Sequence, residues 1–584
     1  MSSLGLVGDI ANSALAAQRY GIEVTSHNVA NVNTPGYTRQ SPIYETKLPA
    51  SVGGLQLGRG VNTSAIRRIS DQFIENQLMG QGSNLSSSEE LESYIKVLEG
   101  RFSESSNASI SAMLSDYWNL WQDISNNPTG SSERTAICEY SIQLTEQFNI
   151  VNSSMDQMEI NLTNAISSGL GEVNQITSEI AKINAQSVGI EADGAANDLR
   201  DKRNELLSQL SEYIDVNSFE QENGTISVVT ARGCVLVNGN SNNDLALGGV
   251  NGDNVKWQGS GGSTTDITDY ITKGKLGGWL TMRDEIITKY QLDLDSMSKE
   301  LVWAVNQQHS QGIGLSALSE VTGTYAVTDI NEELTTIDSG LDFNSKISTG
   351  QFNLWVYDSS GTVVGGSATA ITIDATTTLE NLKSAIDSVD NISASITTGN
   401  FLKISADSED YTFAFSEDTS NVLAALGVNT FFTGSTAGDI SVSNAISSDI
   451  NTIAAATVAN DGTFASGDNG NAISIANIQN QSISISNWTC DRINGNTEGT
   501  ATSTLEDYYH SMVGSIGTVS AGISNTKAFN QVIYSSMSDI RDSISAVSLD
   551  EEMTNLIKFQ HAYSAAAKLI STADEMLQTL LGMK

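Results

Sequence analysis

Apolar residues recur every three or four positions over long stretches of this chain, which is the spacing of amphipathic helices. The longest stripe runs from Ile137 to Ile183. It predicts one continuous helix of roughly 70 Å, because each helical residue adds ~1.5 Å. Four shorter stripes predict the further helices of a bundle, at residues 85–102, 110–124, 199–213 and 276–309.

Two parts of the chain change to the period of two that places one face of a strand in a core. Residues 216–272 contain short apolar runs between Asn and Gly turn residues and predict a small β subdomain. In residues 313–485 the alternating runs are QFNLWVYD, AITID, FLKIS and YTFAFS. Thr377 and Glu380 predict a capping box before a short helix over 379–386. We therefore expect ββαββ-like units in this segment.

Helical patterning occupies both ends of the chain. Ser548 and Glu551 predict a capping box at the start of the last helix. A matching N-terminal stripe runs from Leu6 to Asn28 and contains small residues such as Gly21, which let two helices approach closely. The C-terminal segment keeps the strict heptad seam of a coiled coil, formed by Leu556, Phe559, Tyr563, Ala566, Ile570, Ala573, Leu577 and Leu580.

The order of these segments predicts an α+β multidomain chain whose domains are discontinuous and nested. A chain of 584 residues exceeds what one hydrophobic core usually serves. Residues 1–70 plus 548–584 would form an inner domain of long terminal helices in a coiled coil. Residues 71–312 plus 486–547 would form a helical bundle domain that includes the small β subdomain. Residues 313–485 would form one or more inserted, β-rich outer domains.

The charge of the chain argues against two classes of partner. Asp and Glu number 68 against 29 Lys and Arg, so the formal net charge is -39. Such a surface repels phosphate backbones and anionic headgroups, and we expect neither nucleic-acid nor membrane binding. No window contains the ~18–20 consecutive apolar residues of a membrane span.

The cysteines, histidines and carboxylates do not form a recognisable chemical site. Cys138, Cys234 and Cys490 lack CxxC pairs and metal-ligand spacing, so we expect idle thiols, no metal and no cofactor. The acidic pair Glu551 and Glu552 lies in a charged run, whereas general acid–base catalysis needs a desolvated carboxyl at a defined separation. The four histidines lack HExxH or triad context and stand at positions 27, 309, 510 and 561. We therefore expect no enzyme, and a secreted cell-wall hydrolase stays a remote alternative.

The most specific motif follows the N-terminal helix. Its Pro35-Gly36 pair predicts a type II turn, and turn chemistry alone would make it an ordinary loop. Together with the preceding helix, however, the pattern AN-x-NTPGY-x-RQ resembles the shared signature of bacterial flagellar rod, hook and hook-associated proteins. The C-terminal stretch 548–581 resembles the matching end of that family. The resemblance implies an assembly interface at Ala30, Asn31, Asn33, Thr34, Pro35, Gly36, Tyr37, Arg39 and Gln40.

Three internal stretches, 189–216, 306–312 and 467–481, are similar to those of the family member at the hook–filament junction. The resemblance thus implies a structural subunit that adapts the hook to the filament. Another axial subunit, of hook or filament-cap type, remains the alternative. In the family, the terminal helices pair within the tube and line its inner wall.

The same resemblance implies partners and a location. The partners would be copies of the chain in a ring, the hook protein, and the next hook-associated protein on the filament side. The chain would leave the cell through the flagellar type III export apparatus without a cleaved signal peptide and become extracellular, at the junction. A cytoplasmic export chaperone would first hold the seam from Leu556 to Leu580.

Overall fold

The structure, a computed structural model, describes residues 3–52, 55–102, 109–191, 196–221, 223–250, 252–259 and 261–582. Packing divides the chain into two compact units. Unit 1 comprises Met1–Tyr94, Asn161–Met282 and Ala521–Lys584, and unit 2 comprises Ile95–Ile160 and Arg283–Ser520. The assignment of the chain to three sequence-defined domains stays a prediction.

Helices account for both ends of the chain and for most of its first third, as the stripes predict. The mixture of long helices with several small sheets confirms the α+β class. The helices are α1 Ser3–Ala30, α2 Gln72–Arg101, α3 Ile110–Asn126, α4 Ser131–Glu191, α5 Asn197–Tyr213, α6 Gly274–Thr281, α7 Thr288–His309, α8 Leu379–Asp387, α9 Val422–Ala425, α10 Asn444–Ser448, α11 Gly470–Ala476, α12 Leu505–Ser545 and α13 Leu549–Gly582.

The longest predicted helix is confirmed as α4, whose apolar stripe is buried. Packing explains why Gly169, the weakest member of the stripe, has no side chain. A Cβ there would lie 2.7 Å from Cζ3 of Trp279. The single helix predicted over 276–309 is wrong in one respect. A π-helical segment, Met282–Ile287, separates α6 from α7, because one wider turn shifts the stripe without breaking its apolar character.

Unit 1 contains two groups of strands. The sheets between α5 and α6 confirm the predicted strand patterning, with strand orders β5-β6-β7-β8 and β11-β10-β9. The strands β1 to β4 were not predicted; β1 pairs with β4 and β2 with β3, all antiparallel. The strands are β1 Gln40–Thr46, β2 Ala50–Val52, β3 Leu55–Leu57, β4 Val61–Arg68, β5 Val216–Glu220, β6 Ile226–Thr230, β7 Val235–Asn238, β8 Ser241–Asn242, β9 Leu245–Gly248, β10 Asn254–Gln258 and β11 Thr264–Asp266.

Unit 2 contains the strands predicted in the middle of the chain, arranged around α8. The main sheets have the orders β15-β14-β18 and β13-β17-β16. The strand β16 was not predicted, although its sequence ISASI alternates apolar and polar residues. The strands are β12 Gly312–Ile313, β13 Glu320–Thr322, β14 Gly350–Asp358, β15 Thr369–Ile373, β16 Ile392–Ile396, β17 Leu402–Ala406, β18 Tyr411–Ser416, β19 Phe432–Thr433, β20 Ser441–Val442, β21 Ala456–Thr457, β22 Ile483–Thr489 and β23 Thr497–Ser503.

The capping residue of α8 differs from the prediction by one position. Thr378 is the N-cap, and its hydroxyl accepts a hydrogen bond from the backbone N–H of Asn381. The hydroxyl of Thr377 is already used in the preceding turn, where it accepts from the N–H of Asp374 at 2.9 Å. Either threonine can cap in isolation, so the turn decides which one does.

Candidate assembly site

The two terminal helices pack against each other in antiparallel orientation. Gly21 of α1 faces Phe559 of α13, where a Cβ would lie 2.9 Å from the ring. Seven residues further along α1, Asn28 meets Glu552. Small residues are buried along both helices, among them Ala17 and Ala566. The absence of a side chain at Gly21 therefore sets how closely the helices approach.

The predicted turn after α1 is confirmed. Gly36 has a φ of 74°, and the N–H of Tyr37 donates to the carbonyl of Thr34 at 3.2 Å. A positive φ at the third turn position requires glycine or a residue that tolerates it. A Cβ on Gly36 would also lie 2.9 Å from Oε2 of Glu205 in α5. The turn thus brings the motif directly onto α5.

Asn28, two residues before the motif, is the buried centre of these contacts. Its amide nitrogen donates to the carbonyl of Gln40 at 2.9 Å and to Oε2 of Glu552 at 3.1 Å. Its amide oxygen accepts from the hydroxyl of Tyr37 at 2.7 Å and from the N–H of Gln40 at 3.0 Å. All the hydrogen-bonding capacity of this side chain is used, so it joins α1, the turn, β1 and α13.

Arg39 binds the start of α13. Its Nε donates to Oε1 of Glu552 at 2.8 Å, and its Nη1 donates to Oε2 of Glu551 at 2.7 Å. The capping box predicted from Ser548 and Glu551 is not formed among the described residues. The carboxylate of Glu551 instead binds a guanidinium from the other end of the chain, because an ion pair is the stronger interaction available to it.

The start of α5 holds the other side of the motif. Gln40 donates from Nε2 to Oδ1 of Asp198 at 2.9 Å, and the N–H of Thr38 donates to Oδ2 of Asp201 at 3.1 Å. Asp201 also pairs with Arg68, whose Nε lies 2.7 Å from Oδ1. Burial raises the pKa of Asp201, and Arg68 opposes that rise.

We call this set of contacts the joint. It connects the terminal helix pair to α5, and sequence reasoning singled out both segments without predicting that they meet. Its side chains belong to Asn28, Tyr37, Arg39, Gln40, Asn197, Asp198, Asp201, Glu551 and Glu552.

The remaining motif residues have a different environment. Ala30, Asn33, Thr34 and Pro35 are exposed. Asn31 instead supports the end of α1, since its amide donates to the carbonyl of His27 at 3.0 Å. The role of the exposed residues as an assembly interface stays a prediction.

The C-terminal seam is only partly covered by α1. Ala566 and Ala573 are buried, and Leu556, Phe559 and Ile570 are partly buried. Two further seam members, Tyr563 and Leu577, are 40% and 43% exposed. The side chain of Leu580 lies outside the described residues. Other apolar side chains of α13 are also exposed, at Leu549, Met553, Ile557, Leu569, Met576 and Leu581.

The described part of the chain offers no metal site or membrane-spanning helix. It contains no group of three or more His, Cys, Asp or Glu side chains placed to hold a metal ion. None of its helices combines the length and apolar character needed to cross a membrane. Cys138 is buried, Cys234 and Cys490 are partly buried, and all three are free thiols.

Comparison with known families matches both ends and the interior of the chain. Residues 95–323 match the family described as "Flagellar hook-associated protein FlgK helical domain". Residues 9–38 match "Flagella basal body rod protein", and residues 542–583 match "Flagellar basal body rod FlgEFG protein C-terminal". The last two segments contain most of α1 and all of α13, which meet at the joint.

Comparison with individual proteins covers nearly the whole chain. This chain is 26% identical to Flagellar hook-associated protein 1 of Bacillus subtilis (strain 168), and the match covers 100% of this chain and 98% of the relative. It is 25% identical to the protein of the same name in Escherichia coli (strain K12), covering 98% and 99%. The flagellar hook junction protein FlgK from Burkholderia pseudomallei has the same fold, with a TM-score of 0.53 at 17% identity over 80% of this chain and 100% of that one. The chain is thus similar from end to end to flagellar hook-associated proteins of the FlgK type.

Proposed function

We propose that this chain is a structural subunit of the bacterial flagellum that forms the hook–filament junction and adapts the hook to the filament. The observation that carries the proposal is end-to-end similarity to Flagellar hook-associated protein 1, together with terminal helices that pair at the joint. The fold of a flagellar hook junction protein supports it independently of sequence identity.

The surface of α13 supports assembly with copies of the chain. The helix exposes a series of large apolar side chains on both flanks of its contact with α1. Fully burying one such side chain stabilises an assembly by about 1.5–3 kcal/mol. A neighbouring copy would supply the partner surface, as a coiled-coil seam requires. In this proposal the terminal helices of successive copies extend an inner tube.

The other partners follow from the same role. One face of the ring would meet the hook protein, and the opposite face would meet the next hook-associated protein. The chain would reach this extracellular position through the flagellar type III export apparatus without a cleaved signal peptide. Before export, a cytoplasmic chaperone would hold the apolar seam of α13 in a groove.

A catalytic role has little support. The relatives are named for a place in the flagellum rather than for a reaction. His27, which precedes Asn28 in α1, faces Tyr37 with its Nδ1 3.1 Å from the hydroxyl, in a contact that orients the turn. A cell-wall hydrolase remains testable by incubating the purified chain with peptidoglycan, and release of soluble fragments would contradict the structural proposal.

Deletion of residues 550–584 tests the mechanism. We expect the truncated chain not to be incorporated into hook–filament complexes. Unit 2 does not contain these residues and should keep its unfolding transition. A matched control is Val250→Asp, an exposed apolar position of unit 1 far from α13 in sequence. If the truncated chain still assembles, the terminal helices do not drive assembly.

Immunogold labelling with an antibody against residues 313–485 tests the location. A narrow band at the distal end of the hook is expected. Label along the whole hook or filament would instead indicate a bulk axial subunit. Absence of label from the axis would contradict every flagellar assignment.

A further inference from the structure

A second apolar surface lies in unit 1, on the strands that follow the motif. The antiparallel pair β2–β3 forms the end of the long hairpin β1–β4, and we call residues 47–60 the tip. Leu48 is 87% exposed and Leu55 is 69% exposed. Isolated exposed leucines are common on protein surfaces, but a cluster on a projecting hairpin indicates a contact surface.

The charge of the tip is opposite to that of the protein. Residues 47–60 contain Lys47 and Arg59 and no Asp or Glu, whereas the whole chain carries a net charge of -39. Both cationic side chains are exposed, and Arg59 also pairs with Asp9 of α1, with its Nη2 3.5 Å from Oδ2. A cationic apolar tip is complementary to an acidic apolar surface, and copies of this chain are a strongly acidic partner.

Such a surface lies on α12. Four large apolar residues share one side of the helix, and we call them the α12 stripe: Phe529, Val532, Ile540 and Ile544. Phe529 and Val532 are 64% and 69% exposed. Asp539, also exposed, lies beside the stripe. The stripe is thus apolar with an acidic flank.

The opposite side of α12 is already occupied by α2. Asn530 is buried and donates from Nδ2 to the carbonyl of Asn84 at 3.2 Å and to the hydroxyl of Ser88 at 3.1 Å. The ring of Tyr534 lies against Gly82, whose added Cβ would be 3.3 Å away. These contacts hold the helix so that the stripe faces outward.

The tip and the stripe are held at different places within one chain. The N–H of Val61, at the end of the tip, donates to the hydroxyl of Ser13 in α1 at 3.2 Å. The end of α12 is held at the joint, where the N–H of Arg39 donates to the carbonyl of Ser545 at 2.9 Å. From Ser13 to Asn28 at the joint, α1 extends roughly 22 Å, at ~1.5 Å per residue. Leu55 of the tip and Phe529 of the stripe are both exposed in the same chain, so the tip does not cover the stripe of its own chain.

We propose that the tip of one copy docks on the α12 stripe of a neighbouring copy, with Lys47 beside Asp539. The contact is heterologous, because two different surfaces of the same chain meet. Repeated contacts of this kind generate rings or helical arrays rather than closed dimers. The proposal rests on the proposed function, since it needs copies arranged side by side at the junction.

Disulfide trapping tests the contact in isolated hook–filament complexes. The chain carries Leu55→Cys and Phe529→Cys in a background where Cys138, Cys234 and Cys490 are replaced by serine. Mild oxidation is expected to produce a ladder of covalent oligomers from the double variant. Each single variant is expected to remain monomeric on a denaturing gel.

The outcomes separate this proposal from the proposed function. Immunogold label at the junction without a ladder overturns the tip–stripe contact and leaves the junction role standing. A product that joins Leu55→Cys to a different protein also overturns it, because the tip then docks on another partner. Absence of the chain from the junction would contradict the proposed function itself.

A charge exchange tests the pairing without relying on cysteine. Lys47→Glu is expected to lower the number of assembled junctions by at least about tenfold, since it places two carboxylates together. The double variant Lys47→Glu with Asp539→Lys is expected to restore assembly. The control Lys202→Glu changes an exposed lysine of unit 1 outside both surfaces and is expected to have little effect. Failure of the double variant to recover would sink the proposed pairing.

Discussion

Asn28 and Glu552 are 524 positions apart in the sequence and share a buried hydrogen bond of 3.1 Å. The side chain of Glu552 is also held by Arg39, two residues beyond the turn that follows α1. The two ends of the chain are thus joined by polar side chains inside a largely apolar helix pair. A buried polar contact of this kind costs free energy when one partner is removed, so it specifies the pairing of the helices.

The contact between Asn28 and Glu552 can be measured with a double-mutant cycle. Asn28→Asp removes the donor to Glu552 and places a second carboxylate beside it. We expect the opening free energy of α1, measured by native-state hydrogen exchange, to fall by about 3 kcal/mol. Glu552→Gln in the same chain restores a donor and should recover about 1–2 kcal/mol of that loss. Strict additivity of the two substitutions would mean that the residues are not coupled.

Arg39 should contribute more to stability than a surface arginine on the same helix pair. Arg39→Ala leaves the buried carboxylate of Glu552 without its cationic partner, and we expect a loss of about 2–3 kcal/mol in the free energy of unfolding of unit 1. The matched control is Arg19→Ala, because Arg19 pairs with Glu23 in an exposed i,i+4 contact. That change should cost at most about 0.5 kcal/mol. Equal effects in chemical denaturation would show that burial of Glu552 does not matter.

Substitution of Gly21 and of Gly8, both in α1, by alanine should have opposite effects on stability. Gly21→Ala puts a methyl group against Phe559 and should destabilise the pair of α1 and α13 by about 1–3 kcal/mol. A Cβ on Gly8 would have no neighbour within 4 Å, so Gly8→Ala should stabilise α1 by about 0.5–1 kcal/mol through helix propensity. Hydrogen exchange of the α1 amides measures both. Stabilisation by Gly21→Ala would show that close approach of the helices is not required.

The buried side chain of His309 should make the stability of unit 2 depend on pH. It lies fully buried at the end of α7, with Nδ1 2.8 Å from the carbonyl of Asn429 and Nε2 accepting from the N–H of Ala454 at 2.9 Å. Burial lowers its pKa from 6.5 to about 4, and nearby Arg134 acts in the same direction. Between these values the unfolded chain binds a proton that the folded chain does not. The stability that neutral, buried His309 gives to unit 2 is therefore fully present above pH 6.5. As the pH falls toward 4 it is lost, and the free energy of unfolding of unit 2 falls by about 3 kcal/mol.

Denaturant unfolding of unit 2 at pH 7.5 and pH 4.5 measures this contribution. The glutamine of His309→Gln does not titrate, so the variant should lose less stability than the wild type over the same interval. The control His561→Gln changes a histidine of α13 in unit 1 and should leave the pH dependence of unit 2 unaltered. An identical pH dependence in wild type and His309→Gln would show that His309 does not cause the loss of stability of unit 2 at low pH.

Much of the fold follows from local patterns. The three- and four-residue spacing of apolar residues predicted α4 over most of its length, and Pro35-Gly36 predicted a turn that the structure contains. The strands β1 to β4 were missed, because they place little of their surface in a core: no residue of β3 or β4 is buried. Alternation signals a strand only where one face is in a core and the other in water.

The sequence by itself determined the helical ends, the seam on α13 and the residues of the motif, because periodicity and turn chemistry act between neighbours in the chain. Only the tertiary structure decided that Asn28 and Arg39 bind Glu552, that Gln40 binds Asp198, and which part of the seam α1 covers. Those choices depend on which buried donor meets which acceptor across hundreds of residues. Hydrogen bonds and ion pairs of this kind leave no periodic pattern, since their partners are matched by geometry in the folded chain rather than by spacing along it.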